Sequence, residues 1–186
     1  MILPITAYGD PVLRKKGELI TKDYEGLNEL IQNMFDTMYN ANGVGLAAPQ
    51  VGKSLRLFIA DGTPFAEDEP EMANFKKVFI NPTMLDEDGQ AWKFNEGCLS
   101  IPGIREDILR KPDITLRYFN EQFEECEEQF KNLAARIIQH EYDHIEGILF
   151  TDKISPIKRR LLKNRLDDIS KGKADVDYKL KFYNKR

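Results

Sequence analysis

Residues 140–144 read HEYDH and carry the clearest chemical signal in this chain. In a helix, positions four apart lie about 40° from each other around the axis and one turn apart along it, so His140 and His144 can bind one metal ion together. Glu141 lies beside them, where it can exchange a proton with a water molecule at the site. These are the only two histidines of the chain. The motif therefore predicts a catalytic metal centre.

A catalytic metal site usually has three protein ligands and one open position, so a third ligand is expected. The chain has no other histidine, and no glutamate follows Glu146. Cys98 is a candidate, because the glycine and proline near it indicate a tight backbone segment. Cys126 is a poorer one, because the glutamates around it disfavour a thiolate. The other candidates are three downstream aspartates: Asp152, Asp167 and Asp168.

The motif must lie on a helix, and the periodicity predicts one from about Asn132 to a stop at Gly147. The motif shares a sector of about 140° with the apolar positions Leu133, Ala134, Ile137, Ile138, Ile145 and Ile148. The opposite side carries Arg136, Gln139, Asp143 and Glu146. An unpaired buried carboxylate is costly, and a metal ion would supply a counter-charge. The alternative is a pair of core histidines that are hydrogen-bonded to the backbone, with Glu141 at the rim of the core.

Other segments show weaker but readable patterns. Apolar residues at helical spacing predict a helix over about 25–42, and short branched or aromatic runs predict strands at 55–60, 77–81 and 114–119. Residues 122–130 fit neither template, and the acidic stretch 62–74 is expected to be a surface loop. Ser155 followed by Pro156 predicts the start of a last helix. The absence of an internal repeat or linker favours one domain over residues 1–186.

Composition and charge limit the class of protein. With 41% hydrophobic and 31% charged residues, the 186-residue chain is neither collagen-like nor disordered. It has no apolar run long enough to span a membrane and no leader-like start, which favours the cytoplasm. Residues 153–186 carry a net charge of +8 and the rest carries −12. This basic helix and tail, at about 155–186, could bind a polyanion, or it could be a solvated helix face.

Three short motifs, taken together, resemble the signature of the peptide deformylase family. They are GVGLAAPQ at 43–50, EGCLS at 96–100 and QHEYDH at 139–144, in the family's order and spacing. The resemblance extends from the GDPVLR segment at 9–14 to the Leu149-Phe150 region. It implies a single-domain α+β fold in which antiparallel strands pack around a central HExxH helix, with a C-terminal helix after it.

The resemblance also implies an activity and a site. The activity is a metal-dependent hydrolysis that removes the formyl group from the N-terminal methionine of new polypeptides. One divalent ion, typically Fe(II) with Zn, Ni or Co as substitutes, is bound by Cys98, His140 and His144. The implied catalytic groups are Glu141, the Gln50 side chain and the Leu99 backbone N–H. The implied substrate-binding residues are Gly43, Val44, Gly45, Gly97, Arg105 and Ile137.

The implied partners are N-formyl-methionyl nascent peptides and, through the basic C-terminal segment, the ribosome; no membrane or DNA partner is expected. Two other hypotheses remain open at this point. One is a zincin peptidase that uses an aspartate as the third ligand and does not need Cys98. The other is a non-catalytic, metal-stabilised protein on the ribosome. A structural metal site would be closed by four protein ligands, and this sequence offers three good ones.

Overall fold

The computed structural model describes residues 1–183, so the last three residues of the predicted basic tail lie outside the described part. Three α-helices and nine strands follow one another along the described residues. The helices are α1 (Leu27–Asn40), α2 (Asn132–Ile145) and α3 (Pro156–Ser170). The strands are β1 (Ile5–Thr6), β2 (Gly45–Ala47), β3 (Leu57–Asp61), β4 (Lys76–Asp88), β5 (Trp92–Cys98), β6 (Ile101–Arg110), β7 (Asp113–Phe119), β8 (Glu125–Lys131) and β9 (Leu180–Lys181).

Five strands form one antiparallel sheet in the order β2-β3-β4-β7-β8, with β2 at one edge. Strand β3 is buried along its whole length, which explains the run of four apolar residues that precedes Asp61. Helix α2 packs against β2, β3 and β8. The predicted α+β fold, with antiparallel strands around the HExxH helix, is confirmed.

Helix α2 begins and ends where the sequence indicates. Its C-terminus is followed by Gly147 at φ 75°, a left-handed conformation that glycine adopts without strain. The opposite side of the helix, however, is not a polar surface. Arg136, Gln139 and Asp143 are buried there, so α2 is enclosed on both sides. Periodicity treats polar residues as exposed, whereas here Arg136 pairs with Glu96 of β5 and Asp143 pairs with Arg110 of β6.

The hairpin formed by β5 and β6 is absent from the sequence-based prediction. Its strands mix charges, glycine and proline, so neither shows a clean alternation. The two strands pair from Trp92 with Arg110 to Cys98 with Ile101, and the register shifts between Gly97 and Cys98. This shift and the two-residue turn that follows place Cys98 at the tip of the hairpin.

The other elements differ from expectation mainly in their bounds. Helix α1 is shorter than the predicted 25–42, and the ambiguous stretch 122–130 contributes to strand β8. The Ser155 side chain caps α3 as predicted, accepting a hydrogen bond from the Lys158 N–H at 3.3 Å. The acidic stretch 62–74 is largely exposed but is not only a surface loop, since it contains two short 3-10 helices and buries Met72.

After α3 the chain turns back, and β9 pairs in parallel with β1 near the N-terminus. The Ile5 N–H donates to the Lys179 carbonyl at 2.8 Å, and the Ala7 N–H to the Lys181 carbonyl at 2.9 Å. The described part of the C-terminal segment is therefore attached to the body. Among residues 1–183, no helix combines the length and apolar character that crossing a membrane requires.

Candidate metal centre and active site

Cys98, His140 and His144 come together in space. One potential ligand atom from each lies within 4.8 Å of the others, and the Cys98 Sγ is 3.3 Å from the His144 Nε2. One thiolate and two imidazoles form a donor set that suits a divalent transition metal such as iron or zinc. The residues present therefore fit a metal ion with one open position.

The other candidate ligands take no part in this cluster. Cys126 lies on β8, where its thiol is 3.6 Å from the Glu124 carbonyl oxygen. Asp152 pairs with Arg14 and accepts a hydrogen bond from the Leu149 N–H. Among the described residues, Cys98 is the candidate that joins the two histidines in a group able to hold a metal ion, and none of the three aspartates belongs to it.

The His140 ring is oriented by Glu96. Its Nδ1 lies 2.9 Å from the Glu96 Oε2, an arrangement in which the neutral ring can donate through Nδ1–H and present Nε2 to a metal. Burial lowers the pKa of His144 well below its usual value, which keeps that ring in the neutral form that a ligand requires.

Glu96 is also the centre of a buried ionic network that joins β5, β6 and α2. The Arg110 guanidinium donates to both Glu96 oxygens, at 2.7 and 3.0 Å, and to Asp143 at 2.7 Å. Arg136 donates to Glu96 at 3.0 Å. Burial alone would raise the pKa of Glu96, but the hydrogen bonds from His140 and Arg110 outweigh it and hold that pKa far below its ordinary value.

Glu141 is buried beside the cluster. Its Oε2 has no hydrogen-bond partner among the described residues, and its Oε1 would lie 2.4 Å from a Cβ built on Gly45. Burial raises the pKa of Glu141 to about 7. A carboxyl group in this state can accept or donate a proton near neutral pH.

Gln50 is directed at the same point by its own backbone. Its side-chain oxygen accepts the Ala47 N–H at 2.9 Å, which turns the amide nitrogen toward the cluster. That nitrogen lies 3.4 Å from the Cys98 Sγ and 3.3 Å from the Ser100 Oγ. The short 3-10 helix Ala48–Val51, which follows β2, supplies this placement.

A cleft of about 580 Å³ opens over the cluster. It brings together eleven of the twelve residues expected at the site, while His144 is buried beneath. The eleven are Gly43, Val44, Gly45, Gln50, Gly97, Cys98, Leu99, Arg105, Ile137, His140 and Glu141. A Cβ on Gly97 would lie 2.8 Å from the Arg105 guanidinium, so the small residue leaves room for that side chain.

Other residues of the cleft wall are absent from the sequence-based set. Phe65 comes from the 62–74 stretch and Phe94 from the unpredicted β5. Val176 and Tyr178 come from the segment after α3. No local motif marks any of these four, because their role depends on tertiary placement.

Comparison with known proteins identifies the family of this chain. The family model described as polypeptide deformylase matches residues 2–160. A peptide deformylase from Christiangramia forsetii is 59% identical over 99% of this chain and 97% of the relative. The crystal structure of a peptide deformylase from Legionella pneumophila has a TM-score of 0.80 and 37% identity, over 92% of this chain and 96% of that one. That from Thermotoga maritima has a TM-score of 0.75 and 42% identity, over 84% and 99%.

The fold and the Cys-His-His cluster define a metallohydrolase of the α+β type. The chain belongs to the polypeptide deformylase family, which removes the formyl group from nascent peptides. Like the rest of that family, it is metal-dependent.

Proposed function

We propose that this chain deformylates nascent peptides in the cleft above Cys98, His140 and His144, with the metal ion held by these three residues. The observation that carries the proposal is the buried, unpartnered carboxylate of Glu141 next to three convergent ligand atoms. A purely structural metal site would offer four protein ligands and would have no use for such a carboxylate. A divalent ion held there supplies Lewis-acid chemistry and acidifies water.

Fe(II) is the proposed ion, with Zn, Ni or Co able to replace it, on the strength of the resemblance to the family. One thiolate and two neutral imidazoles leave a divalent ion with a net charge of about +1. We place the reaction in the cytoplasm, where nascent peptides are made.

In the proposed mechanism, Glu141 moves the proton. Its carboxylate takes a proton from the water that attacks the formyl carbon. The C–N bond of the formamide then breaks, and Glu141 returns the proton to the departing amine. The products are formate and a free N-terminal amine. The buried position of Glu141 suits both steps, because burial raises the pKa of its carboxyl group toward neutrality.

The oxyanion that develops on the formyl oxygen needs fixed donors. We assign this role to the Gln50 amide nitrogen and the Leu99 backbone N–H. Gln50 is held through its own oxygen, as described above, and Leu99 follows Cys98 directly. The Gln50 donor is therefore positioned before substrate binds.

The substrate backbone is proposed to lie along the edge strand β2. Gly43, Val44 and Gly45 line the cleft there, and among the described residues no other strand pairs with this side of β2. An extended peptide can add to such an edge through main-chain hydrogen bonds. Other parts of the cleft are lined by Gly97, Arg105 and Ile137.

The test uses Glu141→Gln, which keeps the shape of the side chain but cannot accept the proton. We expect metal content and fold to be retained while formate release from a formyl-Met peptide falls by about 10²- to 10⁴-fold. With unformylated peptides, the wild type should release no formate and should cleave no peptide bond. Near-normal turnover with retained metal would remove Glu141 from the mechanism, and lost metal would identify it as a ligand.

A further inference from the structure

The return segment, residues 172–182, leaves α3 and contributes to the cleft before it reaches β1. Val176 and Tyr178 line the cleft wall, and the Tyr178 hydroxyl donates a hydrogen bond to the Leu99 carbonyl at 2.8 Å. The family model ends at residue 160, so this contact lies outside the matched stretch. Residues after the stretch that the family model matches therefore contact the turn that follows Cys98.

The turn that Tyr178 contacts consists of Leu99 and Ser100, which connect β5 to β6. Ser100 is held on two sides, since its carbonyl accepts the Tyr8 N–H at 2.8 Å and its hydroxyl lies 3.3 Å from the Gln50 amide. Among the described residues, the Leu99 carbonyl accepts its side-chain hydrogen bond from Tyr178. Without it, rotation about the Leu99 backbone would be less restricted.

The C-terminal part of the chain holds the same hairpin at two more points. The Arg165 guanidinium donates to the Gly103 carbonyl, and the Lys158 ammonium pairs with Glu106 at 2.6 Å. Both contacts join α3 to β6. Tyr178 extends this set of contacts to the turn that follows the ligand Cys98.

We propose that Tyr178 is a positioning residue, which orients the Leu99 N–H through the Leu99 carbonyl, and that Val176 and Tyr178 form a wall for an apolar side chain of the substrate peptide. This inference rests on the proposed role of Leu99 as an oxyanion donor. A misaligned donor acts on the transition state, so its loss lowers kcat more than it changes KM. The wall acts on substrate binding, so its loss raises KM.

The first experiment compares Tyr178→Phe with Tyr183→Phe. The first variant keeps the ring and removes the hydroxyl, and the second does the same at an exposed tyrosine of the same terminal stretch. Removal of a whole oxyanion donor costs about 10²- to 10³-fold in kcat, and for a displaced donor we expect about tenfold, with KM unchanged. Tyr183→Phe should match the wild type.

Metal content, the melting temperature and amide hydrogen exchange separate positioning from a merely structural role. We expect Tyr178→Phe to retain metal and melting temperature, and to show faster exchange at residues 99–101 but not in α2. An unchanged kcat per bound metal would overturn the positioning role. If the wild type and Tyr183→Phe release formate normally in that case, the proposed function stands and only this inference fails.

The second experiment tests the wall with Val176→Ala. It is assayed on formyl-methionine amide and on longer formyl peptides that carry an apolar residue after the methionine. We expect KM to rise several-fold for one of these substrate classes with kcat nearly constant, since a smaller side chain removes apolar contact. Equal KM values for the variant and the wild type on all substrates would show that this wall does not bind the peptide.

Discussion

The two thiols of the chain occupy different surroundings, and this difference can be tested. Cys98 lies with two histidines at the tip of the hairpin, whereas Cys126 lies on β8 among glutamates. We expect the metal affinity of Cys98→Ala to fall by more than the 10- to 100-fold that is lost when a hydrogen-bond partner of a metal ligand is removed. Activity should fall with it. Cys126→Ala is the matched control and should keep both. Full metal occupancy in Cys98→Ala, measured after anaerobic purification, would contradict the ligand set.

Gly45 tests the space that Glu141 requires. A Cβ at this position would lie 2.4 Å from one carboxylate oxygen and 2.8 Å from the Glu141 Cγ, so the side chain must move. We expect Gly45→Ala to keep its metal and to lose activity by about tenfold or more, because a misplaced proton-transfer group can cost up to 10²-fold.

Gly43→Ala provides a graded comparison for that variant. Its Cβ would meet the flexible tip of the Leu99 side chain at 2.8 Å. We expect a smaller loss of formate release, because a side-chain tip moves more easily than a buried carboxylate. A larger loss in Gly43→Ala than in Gly45→Ala would show that crowding of Glu141 is not the dominant effect.

At the residue scale, the sequence predicts the types and spacing of the reacting groups but not their partners. The HExxH spacing places His140, Glu141 and His144 together because four residues make one helical turn. The hydrogen bond between His140 and Glu96 joins residues 44 positions apart. The contact between Tyr178 and Leu99 spans 79 positions. Periodicity describes neighbours along one element, so it cannot reveal such pairs.

At the element scale, helix α2 shows where sequence patterning fails. Its apolar sector is predicted well, but its polar side is buried against Arg110 of β6 and Glu96 of β5. A buried charge is tolerated when it is paired and hydrogen-bonded, and each guanidinium here has a carboxylate partner. The hairpin that supplies these partners has no clean alternation of polar and apolar residues. The sequence therefore did not predict which charged residues pair.

Helix boundaries are better predicted, because caps act locally. The hydroxyl of Ser155 and the fixed backbone angle of Pro156 define the start of α3 without help from the rest of the fold. The same locality explains Gly147 after α2. Strand ends have no comparable local device, which explains why β4 extends well beyond the predicted 77–81.

Asp152 joins three parts of the chain, and its replacement tests a structural role. Its carboxylate pairs with Arg14 and with Arg159 of α3, and accepts the Leu149 N–H at 2.9 Å. We expect Asp152→Asn to retain metal and to lose about 1 kcal/mol of unfolding free energy, since the pairs are partly exposed. Asp167→Asn, measured by the same denaturant titration, should change neither quantity. Lost metal in Asp152→Asn would revive the aspartate as a ligand.

The stabilisation by Asp152 should also depend on pH. Burial would raise the pKa of Asp152, but hydrogen bonds from Arg14 and the Leu149 N–H hold it below its ordinary value. A folded-state pKa below the unfolded value of about 3.9 stabilises the fold above that pH, and the effect is lost as pH falls through the folded-state pKa. The difference between wild type and Asp152→Asn should therefore be constant above about pH 5 and shrink below about pH 4.

At the scale of the whole molecule, the return segment changes how the basic C-terminal region should be studied. Val176 and Tyr178 belong to the cleft wall, a role that the charge pattern of this segment does not predict. A truncation after Lys171 would remove both residues together with β9. Surface charge must therefore be tested by substitution rather than by deletion.

Three basic residues of the C-terminal region suit such a test. Arg160, Lys163 and Lys171 are exposed, and among the described residues they have no acidic partner. None of them lines the cleft. Other basic residues nearby are engaged in the fold: Lys158 pairs with Glu106, and Lys173 with Asp168. The three free side chains are therefore available to a polyanion such as ribosomal RNA.

We predict that the chain binds ribosomes through this basic surface and that its affinity falls steeply with added salt, as counterion release requires. Replacing the three free residues by glutamine should weaken binding and reduce the slope of log affinity against log salt by about 0.7 to 0.9 for each phosphate that is no longer neutralised. Turnover of a small formyl peptide should be unchanged.

The matched control has the same charge change at exposed lysines outside the region: Lys22, Lys53 and Lys93. Co-sedimentation with ribosomes over a salt series gives both quantities. Equal weakening in the two triple variants, or binding that does not respond to salt, would show that the basic region is only a solvated surface.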